Sequence, residues 1–167
     1  MYAREVSQAP VIRRATRTDR AVVLHFHRDL YIKFRDQIAA PSVLPLFAYE
    51  DLERTLRDDV DGLLNGPGAV VFLAELAGEA VGYVSGHVDV DPRRVLAKKG
   101  VIEDWFVNGS ARGQGVGKLL MDTLVAYFRD AQCEVVESGT WAFNDHARKA
   151  HKKAGFAEIE VKFRKKL

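Results

Sequence analysis

The sequence is poor in cysteine and has no long apolar run. Cys133 is the single cysteine among 167 residues, so no internal disulfide can form. No stretch approaches the roughly 20 consecutive apolar residues of a membrane span, and the opening MYAREVSQAP lacks the apolar core of a signal peptide. We therefore expect a cytoplasmic protein with no membrane partner. Cys133 is expected to be a core thiol, because no His or basic neighbour in sequence would lower its pKa.

The sequence also lacks an excess of one charge. Its 25 Lys and Arg residues nearly balance 23 Asp and Glu residues, and the formal net charge of +2 is too small to indicate a nucleic-acid partner. Positive charge concentrates at 146–153 and 162–167, which form either a solvated face or a basic collar around a polyanionic ligand. The length, the 47% hydrophobic content and the absence of a repeat or linker predict one domain over residues 1–167.

Hydrophobic periodicity predicts a mixed α/β or α+β fold in which helices flank one sheet. The expected order is strand, two helices, three strands, helix, strand, helix, strand. The strands are predicted at 11–16, 69–76, 80–90, 101–107, 133–143 and 156–163, and the helices at 23–34, 49–64, 116–128 and 144–155. The strands at 69–76 and 80–90 are separated by AGE and predict an antiparallel hairpin.

A glycine-rich loop, ARGQGVGK, lies between a predicted strand and a predicted helix. Its backbone N–H groups, the positive end of the helix dipole and the missing Cβ atoms all suit a phosphate. The loop does not fit a Walker A motif, because Arg112 and Leu119 stand where Gly and Ser or Thr are required. It does not fit a dinucleotide fingerprint either, since Gly113, Gly115 and Gly117 are spaced G-x-G-x-G. A tight turn without a ligand is the alternative.

Two motifs resemble those of the GNAT family of N-acetyltransferases. RGQGVG is similar to the R/Q-x-x-G-x-G/A motif with which that family cradles the pyrophosphate of acetyl-CoA. NDHARKAHKKAGF resembles the family's second signature, N-x-x-A-x-x-x-Y-x-x-x-G-F, at Asn144, Ala147, Gly155 and Phe156. The resemblance covers most of the chain and is weakest before residue 69. It implies a mostly antiparallel sheet and direct acetyl transfer from acetyl-CoA to an amine, with no metal.

The resemblance also assigns roles around the coenzyme. The backbone of 105–107 would bind the pantetheine arm, and one of its amides would polarise the thioester carbonyl. The loop amides and Arg112 would hold the pyrophosphate, and Asn144 would order the pantetheine side. The implied coenzyme-binding residues are Trp105, Phe106, Val107, Arg112, Gly113, Gln114, Gly115, Val116, Gly117, Lys118 and Asn144.

Acetyl transfer to an amine needs a base, because most amines arrive protonated at neutral pH. The stretch IEDWFV supplies Glu103 and Asp104 and resembles the strand of polyamine acetyltransferases in which the Glu position is the base. Strand alternation predicts Glu103, Trp105 and Val107 on one face and Asp104 and Phe106 on the other. A solvated edge charge or a structural ion pair is the alternative for Glu103. For Asp104 we expect a structural role or binding of the substrate ammonium.

His151 occupies the position where the family has a tyrosine as general acid for the departing thiolate. Histidine can donate a proton, so His151 is the candidate acid, and a packing or surface role is its alternative. The missing tyrosine also leaves open a non-catalytic acyl-CoA-binding or regulatory module. His25 and His27 point to different helix faces, and His87 and His146 lack companions at ligand spacing, so no metal is expected.

The acceptor site is expected between the two early helices and the loop at 89–100. Asp89, Asp91, Glu103 and Asp104 favour a cationic amine such as a polyamine or an aminoglycoside. A peptide N-terminus or a small amine antibiotic stays open as the acceptor. A homodimer is a further expectation, because dimers are common in the family.

Overall fold

A computed structural model of the protein describes residues 9–167, so most of the N-terminal stretch considered above lies outside the described residues. Within residues 9–167, no helix is long and apolar enough to cross a membrane. The described chain forms five strands and four α-helices, joined by short 3₁₀ turns and one π-helical turn. The strands are β1 (Val11–Arg14), β2 (Ala69–Leu76), β3 (Glu79–Val90), β4 (Lys98–Val107) and β5 (Val135–Ser138), and the helices are α1 (Arg20–Lys33), α2 (Leu52–Asn65), α3 (Val116–Asp130) and α4 (Asp145–Lys153).

The strands form one sheet in the order β1-β2-β3-β4-β5. All neighbouring strands are antiparallel except β4 and β5, which are parallel. The predicted hairpin is β2 and β3, joined by a tight turn in which Ala77 and Gly78 have φ of 52° and 82°. Positive φ at both turn residues matches the right-handed twist of the strands. The mostly antiparallel mixed sheet predicted from the sequence is confirmed.

The sheet carries a hydrophobic core on each face. Helix α3 buries a stripe at four-residue spacing, comprising Val116, Leu120, Leu124 and Phe128, against one face. Helices α1 and α2 cover the other face, where Val23, Phe26, Val60, Tyr83 and Phe106 pack together. Cys133 is partly buried at the edge of the α3 core, and burial raises the pKa of its thiol. This position agrees with the expected core thiol.

Side-chain caps begin α2 and α4. Asp51 accepts a hydrogen bond from the backbone N–H of Arg54, and Asn144 accepts one from Ala147 N–H at 3.1 Å. These bonds satisfy donors that have no partner inside the helix. The predicted cap at Asn144 is confirmed, and Gly155, with φ of 91°, follows the end of the helix.

The C-terminal part of the chain differs from the prediction. Residues 156–163 form no strand, and the alternating side chains of Ile159, Val161 and Phe163 are exposed. The alternation alone does not make a strand, because a strand needs a neighbour to pair its backbone, and none of the described strands pairs with this segment. Strand β5 is also shorter than predicted and ends at Ser138. Beyond it, Trp141 and Phe143 stack on Phe34 instead of continuing the sheet.

Candidate active site

A bulge in β4 decides where the two adjacent carboxylates point. In the pairing of β3 with β4, Ser85 faces Asp104 while Gly86 faces Ile102, which leaves Glu103 as the extra residue. The predicted alternation is therefore wrong at Glu103. Glu103 contacts His87, which lies two residues beyond Ser85 on β3. Glu103 and Asp104 thus approach the same face of the sheet, the face that α1 and α2 cover, because Ser85 and His87 alternate onto one face.

Glu103 contacts a histidine on the neighbouring strand. Its Oε1 lies 3.0 Å from Nδ1 of His87, and the side chains are 45% and 35% exposed. The sequence spacing offers His87 no companion, and its contact with Glu103 comes from the pairing of β3 with β4. The two residues meet across the sheet, so neither the chain spacing nor a motif reveals the pair. Glu103 is therefore accessible to solvent and held in place by a group that can also carry charge.

Asp104 is the centre of a buried polar cluster. Its Oδ2 lies 3.0 Å from His27 Nδ1 and accepts a hydrogen bond of 2.9 Å from the hydroxyl of Tyr83. The hydroxyl of Ser85 lies 3.4 Å from the same oxygen, and it accepts a hydrogen bond from the Asp104 N–H at 3.2 Å. Asp104 is only 13% exposed. The contacts agree with the expected structural role, and they join α1 to strands β3 and β4.

His27 links this cluster to a second carboxylate on α2. Its Nε2 lies 3.5 Å from Oδ2 of Asp59, which is 45% exposed. Burial lowers the pKa of His27, but the hydrogen bond with Asp104 and the charges of Asp104 and Asp59 outweigh burial and raise it. The ring of Tyr49 lies near the same carboxylates, and burial together with their charges raises the pKa of its hydroxyl. The α1 and α2 face of β4 is thus lined by acidic and aromatic groups.

The other edge of β4 is open beside these residues. Strand β5 pairs with β4 only from Lys99 to Ile102, and Ser138 at its end faces Ile102. Beyond the bulge at Glu103, residues 104–107 continue on β4 and pair with β3 alone among the described strands. On the β5 side, their backbone groups pair with no strand within residues 9–167, so an extended ligand can hydrogen-bond there as a strand would. The segment that carries the predicted pantetheine contacts is therefore available on one edge.

His151 lies at the fork where β4 and β5 separate. Its ring meets the ring of Trp105 edge to face, with 5.9 Å between centroids. Its Nε2 lies 2.7 Å from the Ser138 hydroxyl, and its Nδ1 lies 2.7 Å from the carbonyl oxygen of Ala147. The candidate acid is thus next to the candidate coenzyme strand. Ser138, which the sequence did not single out, lies between His151 and the end of β5.

The glycine loop has the geometry of an anion cradle. Gly113 and Gly115 have φ of 76° and 80°, a conformation that favours glycine, and Gly115 directly precedes α3. A Cβ at either position would meet no atom within 4 Å, so the space above the loop is open. The first N–H groups of α3 lack partners inside the helix and lie at its positive end. These features of the backbone suit an anionic group such as a pyrophosphate.

Basic side chains lie on both sides of the loop. Arg112 donates from Nε to the carbonyl oxygen of Val107 at 3.0 Å, which ties the loop to the end of β4. A cleft of about 310 Å³ separates the loop from the end of α1 and is lined by Lys33, Asn108 and Arg112. Burial and the charge of Arg112 lower the pKa of Lys33. Lys118 is exposed and pairs with Asp122 on its own helix.

Other predicted site residues make structural contacts that hold the elements around the site together. Trp105 donates from its indole to the carbonyl oxygen of Gly117 at 3.0 Å, which joins β4 to α3. Gln114 donates to the carbonyl oxygen of Ser110, and Phe106 is buried in the core under α1 and α2. Val107 packs beside α3, and Val116 is buried in the first turn of that helix.

The segment expected as a loop at 89–100 comprises the end of β3, a loop at 91–97 and the start of β4, and its two carboxylates contact basic side chains. Asp91 pairs with Arg93 at 2.8 Å, and Asp89 lies 3.7 Å from Lys99. In the described ion pairs, four carboxylates contact only a histidine: Glu103, Asp104, Asp59 and Asp29. Among residues 9–167, no three His, Cys, Asp or Glu side chains are grouped to hold a metal ion.

Comparison with known proteins identifies the family. The model of the acetyltransferase (GNAT) family matches residues 31–156. The chain is 29% identical to an aminoglycoside N(6')-acetyltransferase type 1 of Stenotrophomonas maltophilia, over 93% of this chain and 91% of that protein. It is 27% identical to the protein of the same name from Klebsiella aerogenes, over 97% and 100% of the two chains.

A similar fold occurs in a solved structure of the aminoglycoside N-acetyltransferase AAC(6')-Iy in complex with CoA. The TM-score is 0.74 with 20% identity, over 98% of this chain and 99% of that one. The expected family, fold class, activity and co-substrate are all confirmed. The chain therefore belongs to the acetyltransferase (GNAT) family and is an N-acetyltransferase that uses acetyl-CoA.

Proposed function

We propose that the acceptor is a polycationic amine of the aminoglycoside class. The observation that carries this proposal is the acidic face of β4, where Glu103 and Asp104 are adjacent at the bulge and His27 joins Asp104 to Asp59. Several carboxylates attract and orient an acceptor that bears several ammonium groups. The names of the two curated relatives, which match nearly the whole chain, support an aminoglycoside over a polyamine and point to its 6'-amine.

In the proposed reaction Glu103 is the base. It is partly exposed and adjacent to the open edge of β4, so it can take a proton from the bound ammonium directly or through water. The freed amine attacks the thioester carbonyl, and a backbone amide of 105–107 stabilises the developing negative charge on that oxygen. The carbon–sulfur bond breaks, and the side of the site that holds His151 supplies the proton for the thiolate. No metal takes part in this proposal.

An acceptor screen tests the substrate class. Thiol release from acetyl-CoA would be measured with sisomicin, neamine, spermidine, amino acids and a peptide amine. We expect the two aminoglycosides to give the highest kcat/KM, with acetylation at the 6'-amine established by NMR of the product. A preference for spermidine or for the peptide would refute the proposed class.

Substitution of Glu103 tests the base. Glu103→Gln keeps the size of the side chain and removes its basicity, so kcat should fall by about 10²-fold while the affinity for CoA stays unchanged. Glu79→Gln, at an exposed position at the start of β3, is the matched control. Unchanged kcat in Glu103→Gln would assign the base role elsewhere.

Substitution of His151 tests the acid. His151→Phe should lower the rate of the chemical step by more than about tenfold.

A pair of glycine substitutions tests the pyrophosphate cradle. Gly115 and Gly78 share nearly the same φ, 80° and 82°, and neither would place a Cβ within 4 Å of another atom. Glutamate at the two positions therefore imposes a similar backbone cost, but only Gly115→Glu places a negative charge at the start of α3. We expect acetyl-CoA affinity to fall at least about tenfold in Gly115→Glu alone. Equal affinity in the two variants would contradict the assignment.

The C-terminal segment supports a homodimer. Its exposed alternating side chains at 159, 161 and 163 lie on a stretch that pairs with none of the described strands, and such a stretch is suited to pair with an edge of another sheet. We propose that residues 156–163 pair with a second copy of the chain. Light scattering coupled to gel filtration should give twice the 18.7 kDa chain mass, and a monomeric mass would refute this.

We further propose that residues 1–167 form one domain and that the enzyme acts in the cytoplasm, where acetyl-CoA is available.

A further inference from the structure

The hydrogen bonds of His151 set which ring nitrogen carries a proton. Nδ1 lies 2.7 Å from the carbonyl oxygen of Ala147, and a carbonyl can only accept, so Nδ1 carries hydrogen. In the neutral ring Nε2 is then an acceptor, and it lies 2.7 Å from the Ser138 hydroxyl. The Ser138 hydroxyl therefore donates to Nε2 when the ring is neutral.

Protonation of His151 reverses the bond to Ser138. An imidazolium carries hydrogen on both nitrogens, so Nε2 then donates to Oγ of Ser138. The hydroxyl hydrogen of Ser138 becomes free to point at a third atom. The proton that His151 can release thus passes through Ser138, because Ser138 already occupies the position at Nε2.

Ser138 lies at the fork between β4 and β5. It is the last residue of β5 and faces Ile102, immediately before the open edge of β4 begins. His151 is held behind it by α4, with Trp105 and Phe156 against its ring. Of these side chains, only the Ser138 hydroxyl joins the histidine to the fork between the two strands.

We propose that Ser138 is a catalytic residue that hands the proton to the departing thiolate, with His151 recharging it. The inference deepens the proposed function and rests on acetyl transfer taking place at this fork. As the nitrogen–carbon bond forms, the carbon–sulfur bond breaks and its electron pair goes to sulfur. The Ser138 hydroxyl proton moves to sulfur, and the Nε2 proton of His151 moves to Oγ. His151 is left neutral and regains a proton from solvent, while the proton lost by the amine leaves through Glu103.

Titration of the bound product tests this relay without turnover. The pKa of the CoA thiol in its complex with the protein would be followed by the ultraviolet absorbance of the thiolate. A hydroxyl that donates to the thiolate lowers that pKa, so Ser138→Ala should raise it by about 1 unit. Ser138→Thr keeps the hydroxyl and should stay close to the wild type. Thr140→Val, which removes a hydroxyl from the exposed loop just beyond β5, is the matched control.

Kinetics completes the test. Ser138→Ala should lower kcat more than about tenfold, with KM for acetyl-CoA little changed. When Ser138→Ala is combined with His151→Phe, the loss in kcat should be far from additive, because the two groups act in series. An active wild type in which Ser138→Ala changes neither the thiol pKa nor kcat would overturn the relay alone. A wild type that releases no thiol with any amine would overturn the proposed function and the relay together.

Discussion

Gly100→Ala should destabilise the protein through contact with one phenylalanine ring. Gly100 on β4 and Gly86 on β3 are both buried against Phe128 of α3. A Cβ at Gly100 would lie 2.6 Å from Cδ1 of Phe128 and closer still to two neighbouring ring carbons. The ring cannot move away easily, because Phe128 is 0% exposed and a Cβ at Gly86 would lie only 2.9 Å from its Cζ. The contact therefore forces either α3 or β4 to shift.

The size of the effect follows from two opposing terms. Overpacking costs about 1–3 kcal/mol, and the fully buried ring favours the upper end. Alanine also restricts the unfolded chain more than glycine does, which stabilises the folded state by roughly 0.4–1 kcal/mol. The free energy of unfolding should fall by about 2 kcal/mol, which lowers Tm by about 4–8 °C for a chain of this size.

Urea unfolding and thermal melting measure this change. Gly62→Ala is the control, because Gly62 is exposed within α2 and a Cβ there meets no atom within 4 Å. It should stabilise the protein by about 0.5–1 kcal/mol. Phe128→Leu should relieve part of the Gly100→Ala penalty, with a coupling energy of about 1 kcal/mol. Equal Tm shifts in the two glycine variants, or strict additivity with Phe128→Leu, would refute the overlap.

Three further predictions concern stability. Asp51→Ala removes the cap of α2 and should lower the free energy of unfolding by about 1 kcal/mol in urea unfolding; an unchanged midpoint would contradict the cap. Burial lowers the pKa of His27, but Asp104 and Asp59 outweigh burial and raise it. The contribution of protonated His27 to the free energy of unfolding is therefore complete below about pH 6.5 and lost as the pH rises through the raised pKa. Melting curves should show this alkaline loss in the wild type and not in His27→Gln. The hydrogen bonds from Arg13 hold the pKa of Asp19 well below its usual range, so the stabilisation it provides is present above about pH 4 and lost in acid. Asp19→Asn should flatten that acid limb, and parallel curves would contradict it.

The pattern of the sequence predicts most helices and strands, but it does not predict where each one ends. The hairpin was predictable because two β-rich runs flank a turn that contains glycine, and α4 because Asn144 and Gly155 mark its ends. The stretch at 156–163 shows the limit of such patterns. Its alternation is as regular as that of a strand, but pairing with a neighbour decides whether a strand forms.

The sequence by itself determined the family and singled out the glycine loop and His151, because these lie in short motifs whose local geometry is set by glycine and by helix ends. Only the tertiary structure decided how the chemical groups meet. The bulge at Glu103 reversed the face predicted for that side chain, since one extra residue in a strand moves its side chains to the other face. The contact between His27 and Asp104 joins residues 77 positions apart, and the pair of Ser138 and His151 depends on how α4 packs against the end of β5. Such contacts follow from the register and packing of distant segments, which no local pattern encodes.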